Sequence, residues 1–187
     1  MMDLLAYEAT KPGFDRGAPR WKERLWHLIR IFIFHSALPY PSAFKVWLLR
    51  RFGAQVGKGV VIHPQVNIKF PWRLQIGDHS WIGEEACLLS LAEIKIGAHC
   101  CLSQRSFLCT GSHAFHAPAF DLKVAPITIE DHCWIAAQVF VGKGVSIGQH
   151  SLVSTGSVVT ENVPPGSYVE GNPATSQPHH SSPHDSP

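Results

Sequence analysis

Charge is scarce in this chain of 187 residues: charged side chains make up 16%, and 16 Lys and Arg stand against 14 Asp and Glu. A formal charge of +2 is too small for a protein that lives on a phosphate backbone, so no nucleic-acid partner is expected. Long apolar runs are missing as well. The richest stretch, residues 25–38, is interrupted by Arg30 and His35 and falls short of the ~20 residues that cross a bilayer. Residues 1–20 carry Asp3, Glu8 and Asp15 and lack the basic, apolar, small-residue order of a secretory signal, which leads us to expect a cytoplasmic protein. The five cysteines form no C-x-x-C pair, which argues against a disulfide framework or a structural zinc site and for small core residues. With hydrophobic residues at 45%, the chain is instead equipped to bury a core.

Three regions differ in pattern. Residues 1–53 read as a partly helical segment, because Trp21, Leu25, Leu28 and Ile29 recur at helical spacing and a second such stretch, Phe44 to Phe52, stops at Gly53. Arg16, Arg20, Lys22, Arg24, Arg30, Lys45, Arg50 and Arg51 make this segment basic. It suits either helices packed on their own body or peripheral contact with an anionic membrane surface. Residues 175–187 are Ser, Pro, His and Asp without a large apolar side chain, and a disordered, solvated tail is expected there, His179, His180 and His184 included.

The middle region, residues 54–174, is a repeat. Ile129, Ile135, Val141, Ile147, Val153 and Val159 place an aliphatic residue at every sixth position, and four residues after each comes Cys133, Val139, Val145, Ser151, Ser157 or Val163. Earlier echoes are Val56-Gly57, Ile62 with Val66, Ile76-Gly77, Ile82-Gly83 with Ala86, Ile96-Gly97 with Cys100, and Leu102 with Ser106. Six matches neither a helix nor a heptad. An even period with β-branched residues and Gly, Asp, Asn and His at intervals suits short strands joined by turns, three of which close a triangular coil. Stacked coils would bury the aliphatics inside and pair backbone with backbone, so stability grows between neighbours. The open ends need covers, for which the N-terminal helices and the Pro164-Pro165 and Asn172-Pro173 segment are candidates. Between Leu108 and Ile129 the phase fails. Residues 109–126 therefore read as a loop thrown out from the coil, with His113 where the regular coil ends.

These hexads, taken with Leu108-Cys-Thr-Gly-Ser-His113, Pro126-Ile-Thr-Ile129, Trp134-Ile135, Gly156-Ser-Val-Val-Thr160 and Gly171-Asn-Pro-Ala174, resemble the hexapeptide-repeat acyltransferases over about residues 45 to 174. Within that family they are most similar to the sugar O-acetyltransferases of colanic acid biosynthesis, relatives of the maltose and galactoside enzymes. The resemblance implies an all-β left-handed parallel β-helix, a homotrimer, and acetyl-CoA as cosubstrate in the groove between adjacent helices, with a sugar or saccharide hydroxyl as acceptor and no metal. It makes His113 the general base, a role for which imidazole is chemically suited because it titrates near neutrality. It also places Trp134, Ala137, Thr155 and Thr160 at positions that contact CoA. The chain departs from the family pattern at Glu161 and Thr175, where basic residues would face CoA phosphates, with Lys143 the candidate to compensate, and at Ala114 and Ser90, where Asp and Asn are usual. Two other readings of the same fold stay open. One is a zinc hydratase like the γ-type carbonic anhydrases, using His113 and His116 with His79, His99, His132 or His150 as a third ligand. The other is a catalytically idle scaffold.

Overall fold

The computed structural model describes residues 14–117 and 120–178. Short parallel strands stack into a β-helix whose coils are triangular in section. The first face holds Gln55–Val56, Leu74–Ile76, Ile94–Ile96, Ile127–Ile129 and Ser146–Ile147. The second holds Val61–Ile62, Trp81–Ile82, Cys101–Leu102, Trp134–Ile135, Leu152–Val153 and Ser167–Gly171. Asn67–Ile68, Cys87–Leu89, Phe107–Cys109, Phe140–Val141 and Val158–Val159 make the third. Ile135, Val141, Ile147, Val153 and Val159 are all buried, as the six-residue period requires. Each stacks on its equivalent one coil away, as in the register Ile96↔Ile129↔Ile147. Burying each such side chain contributes about 1.5–3 kcal/mol, and no single residue dominates the rod.

Two residues in each hexad explain why a two-residue strand can turn so sharply. Gln65, His79, Glu85, His99, Arg105, His132, Gln138 and His150 all sit at φ between 54° and 59°, each just before a buried small residue such as Val66, Ser80, Cys100 or Ser151. Small polar side chains at the latter position stitch coil to coil. Ser80 Oγ donates to Gly97 O at 2.7 Å, Cys100 Sγ to Glu130 O at 3.0 Å, Cys133 Sγ to Gly148 O at 3.2 Å and Ser151 Oγ to Pro164 O at 3.1 Å. All five cysteines are free, and Cys100 and Cys133 are buried. The hydrogen bond to Cys133, reinforced by burial, pushes the Cys100 thiol far above its usual range, so it packs as a small hydrophobe.

The coils are not uniform. Val56↔Ile76↔Ile96 advances by 20 residues, Ile129↔Ile147 by 18 and Val153↔Val169 by 16, so the simple expectation of three six-residue sides holds only from Ile129 to Val159. The additional residues of the early coils fall between the third face and the next first face, at residues 69–73 and 89–93. This is the corner from which the excursion at 109–126 leaves.

The open N-terminal edge is closed by two helices, α1 (Arg20–Ile29, continued by a π turn over Arg30–Phe34) and α2 (Ser42–Arg51). Side-chain donors from these helices meet the carbonyls after the three inward aliphatics of the first coil. Arg50 donates to Val56 O at 2.7 Å, Lys45 Nζ to Ile62 O at 3.3 Å and His63 O at 2.9 Å, and Trp26 Nε1 to Ile68 O at 3.0 Å. An otherwise bare strand edge is thus satisfied within the molecule. At the other end Val163 bridges to Ile147, and strand Ala174–Pro178 pairs antiparallel with Ser167–Gly171. The expected disordered tail from Thr175 is corrected here: Thr175–Pro178 are ordered in this strand. Polar residues need no core to do this, because the pairing is made by backbone groups. Residues 179–187, with the three tail histidines, lie outside the described residues.

Candidate functional site

The excursion at the third corner is a β-hairpin. Gly111–His113 pairs antiparallel with Leu122–Val124, with Ser112 opposite Lys123 and His113 opposite Leu122. Its root is fixed by buried Thr110, whose Oγ1 donates to Leu89 O at 2.6 Å and accepts from Ala92 N at 2.9 Å in the preceding coil. Gly111 leaves room for Leu91, since a Cβ there would stand 2.7 Å from Leu91 Cδ1. One coil earlier, Ser90 occupies the position of Thr110 and does the same work: its Oγ donates to Phe70 O at 3.0 Å and accepts from Phe70 N at 2.9 Å. Ser90, flagged in the sequence as replacing an Asn, is a buried corner link.

His113 is half-buried and held from two sides. Its Nδ1 lies 2.8 Å from Phe120 O, and its ring stacks on the Phe120 ring at 4.2 Å between centroids with planes 4° apart. A carbonyl oxygen only accepts, so Nδ1 carries a proton, and in the neutral tautomer the lone pair is on Nε2. Phe120 adopts φ 49°, a conformation that costs a bulky residue of order 1–2 kcal/mol, and it is this turn that presents both carbonyl and ring to His113. Ala114 N donates to Asp121 O at 2.8 Å and Phe120 N to Ala117 O at 3.0 Å, so the tip is internally bonded. His116 packs instead against Phe115, at 3.8 Å between ring centroids.

The other sequence candidates stand elsewhere on the triangle. Trp134 projects from the second face, half exposed, with Nε1 donating to Ser103 Oγ at 2.9 Å. Ala137 and Thr155 are stacked in adjacent coils at the corner between second and third faces, joined by Gly156 N to Ala137 O at 3.0 Å. Ala137 is the smallest residue of a column that also holds Glu84, Gln104 and Thr155. It lines a groove of about 200 Å³ with Glu84, Glu85, Gln104, Arg105 and Gln138. Arg105 and Glu85 pair across this groove at 2.8 and 3.1 Å, which holds the Glu85 carboxyl below its usual range. Thr160 is exposed at the third corner beside Gly142, two coils beyond the hairpin root, with Lys143 and Glu161 next to that pair. In one chain, then, the third face separates His113 from Ala137 and Thr155, and Trp134 lies farther round. The histidines offered as third zinc ligands are on yet another corner. His79, His99, His132 and His150 form a column of stacked rings 4.8–5.3 Å apart between the first and second faces. Among the described residues no group of three or more His, Cys, Asp or Glu side chains is arranged to hold a metal.

Comparison with known proteins accounts for this architecture. Residues 126–161 match the hexapeptide repeat of succinyl-transferase. Over 174 residues, spanning 93% of this chain and 94% of the relative, the sequence is 42% identical to WcaF of Escherichia coli K12, named for acetyl transfer in colanic acid biosynthesis. The chain belongs to the hexapeptide-repeat acetyltransferases. A hexapeptide-repeat acetyltransferase of Vibrio cholerae, VCA0836, solved in complex with acetyl coenzyme A, superimposes with a TM-score of 0.77 at 30% identity, covering 94% of this chain and 97% of that one. The galactoside O-acetyltransferase of E. coli K12 is 24% identical over 81% of this chain and 76% of its own length. Phe120 was invisible to sequence reasoning, because no pattern announces a Phe with positive φ. The anchor Thr110 could have been found from its 20-residue spacing to Ser90.

Proposed function

We propose that the protein transfers the acetyl group of acetyl-CoA to a hydroxyl of a sugar or saccharide in the cytoplasm, with His113 as general base. The observation that carries this reading is the 2.8 Å approach of His113 Nδ1 to Phe120 O. With Nδ1 donating to Phe120 O, Nε2 accepts the proton of the acceptor hydroxyl as that oxygen attacks the thioester carbonyl. The tetrahedral intermediate collapses by expelling the CoA sulfur, which takes the proton back from Nε2, so the imidazole ends as it began. The family's acetyltransferase activity supports the donor, and the relatives named for colanic acid and for galactosides support a saccharide acceptor. Trp134, Ala137, Thr155 and Thr160 are proposed to contact CoA, with Lys143, which follows Gly142 in the chain, to meet its phosphates. Because Trp134, Ala137 and Thr155 lie around the triangle from His113, the reading requires that His113 of one subunit face the groove of a neighbour in a homotrimer.

The test is His113→Ala, assayed by mass spectrometry of acetylated acceptor and by CoA release. A positioned base is worth roughly 100- to 10,000-fold in rate. The variant should lose that much while acetyl-CoA affinity, measured by calorimetry, stays within about twofold. Near-normal turnover would sink the assignment, and equal loss in His116→Ala together with inhibition by a chelator would favour the zinc reading.

A further inference from the structure

Helix α1 is apolar on two sides, and the β-helix uses only one. Trp26 is buried, with Ile29 and Ile33 packed partly behind it and Phe34 of the π turn beside it at 5.1 Å. Trp21, Leu25, Leu28 and Phe32 recur at intervals of four, three and four residues, which aligns them along a second stripe. Their side chains are 67%, 45%, 52% and 67% exposed among the described residues. Such a stripe of large residues in water is the mark of a surface that something covers. On the neighbouring cap helix, Phe44 and Trp47 are also exposed.

Beside the stripe lies a cleft of about 530 Å³ with a strongly positive wall formed by Arg20, Arg24, Arg30 and Lys69. Its one carboxylate, Glu23, is engaged by Arg16 at 2.7 Å. Arg30 Nε is buried without a hydrogen-bond partner among the described residues. Burial together with Arg30 and Arg16 holds the Lys69 ammonium below its ordinary range, as expected where cations crowd without enough anions. Leu28 belongs to both stripe and cleft wall, so the two features are continuous.

We propose that the outer stripe of α1 seats this protein on an anionic phospholipid surface, with headgroup phosphates received by the adjoining cleft. The charge decides the occupant. A two-fold contact between copies through this stripe would bring two basic clefts together, whereas an anionic bilayer supplies apolar chains for the stripe and phosphates for the arginines. The stripe runs over 12 residues, about 16 Å along a helix, which lies in the interface plane and is far too short to cross it. No helix among the described residues is long and apolar enough to span a membrane.

Co-sedimentation of the full chain with vesicles tests this. Vesicles of equal parts phosphatidylcholine and phosphatidylglycerol should bind the protein at least about tenfold more tightly than phosphatidylcholine alone, with the advantage lost in high salt. The double variant Leu25→Glu/Leu28→Glu and, separately, Arg20→Glu/Arg24→Glu should each lower that partition by about tenfold or more. Circular dichroism and sedimentation velocity should show the wild-type fold and particle mass for both. Failure of the full chain to bind, or equal binding to both vesicle types, overturns the proposal. So does a change in particle mass in Leu25→Glu/Leu28→Glu, which would assign the stripe to another copy. Binding of inorganic phosphate without binding of vesicles would leave a free-anion site and overturn it too.

Discussion

At the residue scale the proposed chemistry turns on how an imidazole is held. His113 has a ring face on Phe120 and a nitrogen on the Phe120 carbonyl, so one residue in an unfavourable backbone conformation sets both its orientation and its tautomer. The carbonyl survives substitution of the side chain, but the stacking does not. Phe120→Ala should therefore leave overall stability nearly unchanged and lower kcat by about 10- to 100-fold, the usual consequence of a loosened reacting group, with KM for acetyl-CoA unaffected. A purely structural role for Phe120 would instead move the unfolding midpoint and leave kcat alone. His113 and the histidine column show how little residue identity says by itself. The four stacked histidines occupy turn positions with positive φ, where an imidazole is one choice beside Gln, Glu and Arg at the equivalent corner.

At the scale of elements, the cap and the hairpin are solved by the same device, a polar side chain reaching across to a carbonyl that the coil leaves open. Lys45 is fully buried and gives its protons to Ile62 O and His63 O. Burial lowers its pKa relative to the unfolded chain, so the unfolded state binds more protons as pH rises toward the ordinary lysine value near 10.5. Stability contributed at this site is thus lowest where both states are protonated, and it increases with pH through the window that ends there. Lys45→Met should cost about 1–3 kcal/mol at neutral pH by leaving buried carbonyls unpaired, and it should remove that alkaline rise. Urea unfolding between neutral pH and pH 10 measures both effects. A variant with the same pH slope as the wild type would show that the charge of Lys45 is not coupled to the cap.

For the whole molecule, the arrangement of the candidate residues argues for a shared site. His113 leaves the third corner, Ala137 and Thr155 line the second, and a full strand face lies between them. If neighbouring subunits complete each other, two inactive variants should rescue one another. Mixing His113→Ala with Ala137→Arg, which fills the groove, and allowing subunits to exchange should restore about a quarter of the wild-type rate, because random assembly pairs two intact half-sites that often. Sedimentation should show a trimer before and after. Failure to complement in a mixed trimer would mean that each chain carries its own complete site.

What the sequence by itself determined was everything periodic. The six-residue spacing of Ile135, Val141, Ile147, Val153 and Val159 could only be buried by an even-period coil, and the broken phase after Leu108 marked the excursion that carries His113. The second helix ends at Arg51, two residues before Gly53. What only the tertiary structure decided was everything that depends on contacts between coils. The extra residues of the early coils, the strand role of Thr175–Pro178 and the anchoring by Ser90 and Thr110 arise from neighbours about 20 residues away along the chain, or from backbone pairing indifferent to side chains. The Phe120 carbonyl could not be read at all, because a strained conformation is imposed by the surroundings of the hairpin tip against the preference of the residue itself.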